Sequence, residues 1–280
     1  VSAVTSQVRW ERADLWGPPR PPRRFGALDL GLAALALVAT QALVGAVVLY
    51  VEIVMRGTDP ADVANTTLVL LSGMVSMWAV FAGWPLVVAR RIGQRVCAVV
   101  GPWTTPGSRV RLVAASVGLA VALRVASIGL DVLAARLGWD VQGNSSWMAT
   151  PRDAWATAAI LLGAAVLGPI AEELFFRGLA MRSLMATLQR RWGAAARRVS
   201  FTAVALSALA FGLPHGSTIG ADGALTSPLS ASGLYVVTQT ALIGAAFGIL
   251  AMRRGLLAAC AAHVTFNSLG VMLILIGVAS

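Results

Sequence analysis

The sequence predicts an all-α fold: a polytopic membrane helical bundle of about seven transmembrane helices (six to eight), with an active site in the bundle interior. Three observations carry this. Of the 280 residues, 58% are hydrophobic and only 12% are charged, with a mean hydropathy of +0.77; soluble domains carry roughly 25% charge. The apolar residues fall into seven runs, most near the ~20 residues that span a bilayer. The 22 basic residues, all arginine, gather mainly in the stretches between those runs. The formal charge of +10 is therefore read as membrane orientation and not as nucleic-acid binding.

In chain order, residues 1–27 form a cytoplasmic Arg/Pro-rich tail. Pro18, Pro19, Pro21 and Pro22 are interleaved with Arg20, Arg23 and Arg24, a composition that builds no packed core. The candidate spans are 30–54, 66–89, 110–135, 155–178, 200–216, 233–252 and 256–278. The first run is too long for a cleavable signal peptide and lacks a small-residue cleavage site. Residues 28–154 supply the N-terminal transmembrane helices. Residues 155–280 supply the helices that bear the candidate catalytic motifs, within one membrane domain. The arginine-only basic set, with abundant Ala, Val and Gly, suggests a GC-rich bacterial genome.

Orientation follows from the arginines. Seventeen lie in the tail and in the alternate loops, against three (Arg56, Arg136, Arg152) in the opposite loops. This predicts a multi-pass cell-membrane protein with its N-terminus cytoplasmic and its C-terminus outside. His263 then lies about 13 Å from the cytoplasmic end of its span, and the Glu172–Glu173 pair at a compatible depth. His215 lies about 25 Å along a straight helix from Arg198, which is too far. Pro214 suggests an irregular helix there.

Ionised groups at membrane depth persist where they face a protein interior or a wet cavity. Glu172, Glu173 and Arg177 follow a long apolar run, and the only two histidines, His215 and His263, sit in later apolar segments. Glu173 and Arg177 are i,i+4 neighbours and can pair. Glu172 projects about 100° away from Glu173, free to face a cavity. His263 and Asn267 are also i,i+4, so imidazole and carboxamide share one face. A carboxylate beside an imidazole can take a proton from water. Asn and His donors can stabilise the oxyanion formed on a peptide carbonyl. The same Glu/His/His set could instead bind Zn²⁺ with one open position. The bland alternative is that the glutamates end a span at the headgroups.

The ordered set E-E-L-F-F-R (172–177), F-G-L-P-H (211–215) and H-V-T-F-N (263–267) resembles the EExxxR, FxxxH and HxxxN motifs of the CPBP family. That family comprises type II CAAX prenyl endopeptidases and Abi-like, bacteriocin-processing proteins. The resemblance covers about 155–270 and implies an all-helical intramembrane glutamic endopeptidase. No metal cofactor is expected, because carboxylate, imidazole and carboxamide already supply a base and an oxyanion site. The resemblance makes Glu172 the catalytic glutamate, aided by His215, and His263 with Asn267 the oxyanion pair. Glu173 and Arg177 become supporting residues. The segment 178–199 is long, placing His215 43 residues after Glu172. Prenyl specificity is not carried over to a bacterial chain. The expected partners are the lipid bilayer and a membrane-embedded or lipid-associated peptide, with no nucleic acid.

Other intramembrane protease signatures (HExxH, GxSG, GxGD) are missing from the sequence. A scaffold or bacteriocin-immunity protein would keep the fold without cleaving; a transporter could relay protons through Glu172 and the histidines. Arg124 and Asp131, two turns apart, read as a polar contact within the bundle or as groups reaching the Glu pair. Cys97 and Cys260 make no disulfide framework, and Cys260 reads as a packing residue.

Overall fold

The computed structural model of the chain describes residues 25–60, 62–63, 66–105, 107–139, 154–193, 196–217 and 227–276. The stretch 1–24, Asp140, Arg152 and Asp153 lie outside them. Among the described residues the regular structure is helical, with no strand. We number the helices α1 (Ala27–Tyr50, ending in a π turn Val51–Met55), α2 (Thr67–Ile92), α3 (Val96–Val100), α4 (Arg109–Arg136), α5 (Ala154–Trp192), α6 (Ala196–His215), α7 (Ala231–Arg254) and α8 (Leu256–Leu275). Six of these, all but α3 and α6, are long and apolar enough to cross a membrane. Each of the seven expected runs is helical over most of its described residues. The expected fifth, α6, falls short on composition because Arg197, Arg198, Ser200, Thr202 and Ser207 dilute its apolar residues.

Polar side chains mark the helix starts. Thr66 Oγ1 accepts from Val69 N, Ser108 Oγ from Arg111 N, and Ser230 Oγ from Gly233 N, each satisfying an amide that the first turn cannot. At the foot of α1, Asp29 is buried. It accepts from Gly26 N and pairs with Arg91, while Thr187 Oγ1 accepts from Ala27 N. The α1 entry is thereby tied to both α2 and α5.

The largest departure from the sequence expectation concerns α5. Its apolar run was expected to end at 178, but the helix continues to Trp192, a total of 39 residues. Beyond 180 it becomes amphipathic. Met181 and Met185, backed by Leu184 and Leu188, pack on Val199, Ala203 and Val204 of α6, while Arg190 and Arg191 stay exposed. Good helix formers continue the helix where hydropathy alone reads an end. It stops at Gly193, whose φ of 52° is left-handed, a backbone that favours glycine.

After Gly193 the chain doubles back, so α5 and α6 form an antiparallel hairpin. Glu172 lies twenty residues before the end of α5, and His215 nineteen residues past the start of α6. Between them Met181 and Met185 share one cluster with Val199, Ala203 and Val204, Ser207 Oγ donates to Phe176 O, and the Phe176 ring meets the edge of Phe211. The arms match, and His215 returns to the level of Glu172. The 25 Å depth expected for His215 holds only if α6 begins at a membrane surface; both arms run several turns past the glutamates.

Small residues draw the remaining helices together, as is common in membrane bundles. A Cβ at Gly212 of α6 would stand 2.6 Å from Val237 O of α7. Gly244 and Gly248 of α7 form a G-x-x-x-G pair whose hypothetical Cβ atoms would meet Phe211 at 2.9 Å and Val204 at 3.3 Å. The loop after α3 caps the α7–α8 junction. Pro102 O and Trp103 O accept from Leu256 N and Leu257 N, and Thr105 N donates to Arg254 O. That fixes the start of α8 two turns before His263.

Candidate active site

The long helix α5 is not uniformly α-helical. Two π-helical segments, Gly163–Leu167 and Glu173–Ala180, flank the short α-helical piece Gly168–Glu172. Such turns are rare and concentrate at functional sites, because the wider spiral leaves carbonyls open to partners from elsewhere. Phe176 O accepts from Met181 N in the π pattern and also from Ser207 Oγ of α6 at 2.8 Å. Ala164 O accepts from Asn267 Nδ2 of α8 at 3.0 Å.

Between these segments the two adjacent carboxylates have different surroundings. The Glu173 side chain is 0% exposed; Glu172 is 14% exposed. Glu173 Oε1 lies 3.0 Å from Arg177 Nη1 and 2.8 Å from His263 Nδ1. Arg177 Nη1 is off the line for a hydrogen bond, so that pair is a charge contact. The guanidinium is fixed instead by donating from Nη2 to Gly244 O at 3.1 Å and by lying 4.4 Å over the Phe211 ring. Glu173 Oε2 is buried with no hydrogen-bond partner among the described residues. Glu172 is held less tightly. Its Oε2 lies 3.7 Å from His263 Nε2, beyond hydrogen-bond reach.

His263 therefore has a carboxylate before each ring nitrogen. Its ring packs on Phe247 at 5.0 Å and meets the edge of Phe211 at 5.6 Å. His215 also packs against Phe211, with ring centroids 4.7 Å apart. His215 Nδ1 donates to Phe211 O, four residues back, at 2.7 Å. That assigns the proton to Nδ1 and leaves Nε2 as an acceptor. His215 lies within electrostatic reach of Glu172, His263 and Arg177. Asn267, one turn beyond His263, commits one of its two N–H groups to Ala164 O; the amide has a second donor.

The structure thus brings Arg177, His215 and His263 around the Phe211 ring, with Glu173 on Arg177 and His263, Glu172 beside His263, and Asn267 one turn further along α8. Glu173 and Arg177 meet as expected. The sequence reading missed the aromatic wall and the backbone acceptors. Phe211 and Phe247 give no chemical signal in sequence beyond Phe211 standing four residues before His215. Gly244, Ala164 and Phe176 act through carbonyls, which carry no side-chain signature. Arg124 and Asp131 do not reach the glutamates. Asp131 accepts from Tyr235 OH at 2.6 Å and Gln239 Nε2 at 3.1 Å, and Arg124 turns to the backbone of α8. Cys260 is buried in the aromatic core. Among the described residues, no group of three or more His, Cys, Asp and Glu side chains is arranged to hold a metal ion.

Residues 154–269 match the family model described as Rce1-like, type II CAAX prenyl endopeptidase Rce1-like. The match supports a CPBP-family domain over those residues. No curated protein and no solved structure matches it. The matched CPBP segment contains all six residues of the cluster and leaves α1 to α4 outside. That family is one of proteases, and six helices long and apolar enough to cross a membrane support a multi-pass membrane protein.

Proposed function

We propose that this chain is an intramembrane endopeptidase that hydrolyses a peptide bond in a membrane-embedded or lipid-associated peptide, with Glu172 as the base. One observation carries the reading: of two adjacent glutamates inside the bundle, Glu173 is tied to Arg177 and His263, and Glu172 is left partly open. A water between Glu172 and His215 Nε2 gives a proton to the carboxylate and attacks the scissile carbonyl carbon. The oxyanion is met by the second N–H of Asn267 and by His263 Nε2–H, a donor that requires the ring to carry a proton on both nitrogens because Nδ1 donates to Glu173. Collapse breaks the C–N bond, and Glu172 returns its proton to the leaving amine. The products are a carboxylic acid and an amine, balanced by one water.

In this reading the protein works without a metal, lies in the cell membrane with its N-terminus cytoplasmic, and receives its substrate from the cytoplasmic side. Comparing the membrane peptides of cells carrying wild type and Glu172→Gln tests it. The variant accumulates intact substrate peptides that the wild type removes; identical peptide sets point to a non-cleaving scaffold.

A further inference from the structure

Arg124 sits near the middle of α4, fifteen residues from Arg109 and twelve from Arg136, or about 22 and 18 Å along the helix. A cation at that depth is costly and calls for a specific partner. Its partner is a backbone carbonyl. Nη2 donates to Phe266 O of α8 at 2.6 Å and Nε to the same oxygen at 3.2 Å. The guanidinium carbon lies 3.6 Å from the centroid of the Phe266 ring. Gly270 makes room for this, since a Cβ there would stand 2.6 Å from Arg124 Nη2.

The gripped carbonyl belongs to the peptide unit Phe266–Asn267. Its N–H is the Asn267 amide, which in an unbroken α-helix donates to the carbonyl of His263. A fork of two donors on Phe266 O therefore fixes and polarises the peptide that joins His263 to Asn267. Among the described residues α4 packs chiefly on α8, with a smaller contact to α7, so this grip is central to its attachment.

We propose that Arg124 is a positioning residue for the Asn267 carboxamide, acting through the Phe266–Asn267 peptide; this rests on the endopeptidase reading. A helix outside the matched family segment then sets the geometry of the oxyanion site.

The test uses the full-length protein in detergent, comparing wild type, Arg124→Gln and Gly270→Ala, each with and without Asn267→Ala. Gly270→Ala favours the helix by propensity yet fills the recess the guanidinium needs. It carries the test should Arg124→Gln not insert. The first readout, amide hydrogen exchange over residues 264–271, needs no substrate; both variants exchange faster there. The second uses a fluorophore–quencher peptide copied from a sequence that accumulates in Glu172→Gln membranes. Arg124→Gln and Gly270→Ala lower kcat about tenfold with little change in KM, as for a misplaced group away from the chemistry. Neither lowers it further in the Asn267→Ala background. Equal losses in both backgrounds, an unchanged kcat, or unchanged exchange overturn the proposal. If Glu172→Gln changes no membrane peptide, the endopeptidase reading fails on its own, and exchange alone decides whether Arg124 holds α8.

Discussion

Glu173 holds His263: Oε1 and Nδ1 meet at 2.8 Å inside the bundle, between residues ninety positions apart in sequence. The sequence paired Glu173 with Arg177 and left His263 to work with Asn267. The structure gives Glu173 both neighbours, so one carboxylate fixes the arginine and orients the imidazole that faces Glu172. Which adjacent glutamate does chemistry and which maintains the site is then a question of exposure and partners.

Glu172→Gln should leave the protein folded and inserted while lowering turnover by about 10²–10⁴-fold, the usual loss for a positioned base. Thermal unfolding in detergent together with cleavage of an accumulating peptide measures both. Near-wild-type turnover in this variant removes Glu172 from the mechanism.

Glu173→Gln should act mainly on stability. It strands the buried Arg177 guanidinium beside a neutral amide, and breaking a buried pair costs roughly 3–5 kcal/mol. A lower melting temperature and yield are expected, with activity per folded molecule reduced less than in Glu172→Gln. A stable but inactive Glu173→Gln, beside an active Glu172→Gln, would swap the two roles.

Asn267→Ala should lower kcat by about 10²–10³-fold with a smaller effect on KM, as for loss of one oxyanion donor. Steady-state kinetics on the same peptide checks it. A change confined to KM would place Asn267 in substrate binding.

Chelation should leave turnover unchanged, because carboxylate, imidazole and carboxamide already supply a base and an oxyanion site. Dialysis against EDTA followed by add-back of single metals is the measurement. Loss of activity restored specifically by Zn²⁺ would favour the Glu/His/His metal reading.

Reporter fusions after Arg198 and after Ser280 should report opposite sides of the membrane, from the arginine asymmetry. The same side for both would mean that one of the last three helices does not cross.

The helical bundle was legible in the sequence because apolar runs of bilayer length have few alternatives. The ion pair Glu173–Arg177 was legible because i,i+4 spacing is local geometry. The extension of α5 to Trp192 was not, since an amphipathic helix of arginines and methionines carries no continuous apolar signal. The level of His215 was lost with it. Nor could the sequence show the π segments, which Ser207 and Asn267 support from other helices. Arg124 was visible as an anomaly, but its partner is a carbonyl, and every residue has one.

The matched arms of the α5–α6 hairpin work as a ruler. One residue added to a single arm would turn His215 by about 100° and shift it about 1.5 Å relative to Glu172. Seven added to both arms amount to nearly two whole turns each, restoring both facing and height while moving only the tip. Length variation in this hairpin should therefore be tolerated in balanced pairs, and an engineer wishing to attach a sensor or a tether to this membrane protein has a calibrated place to do it.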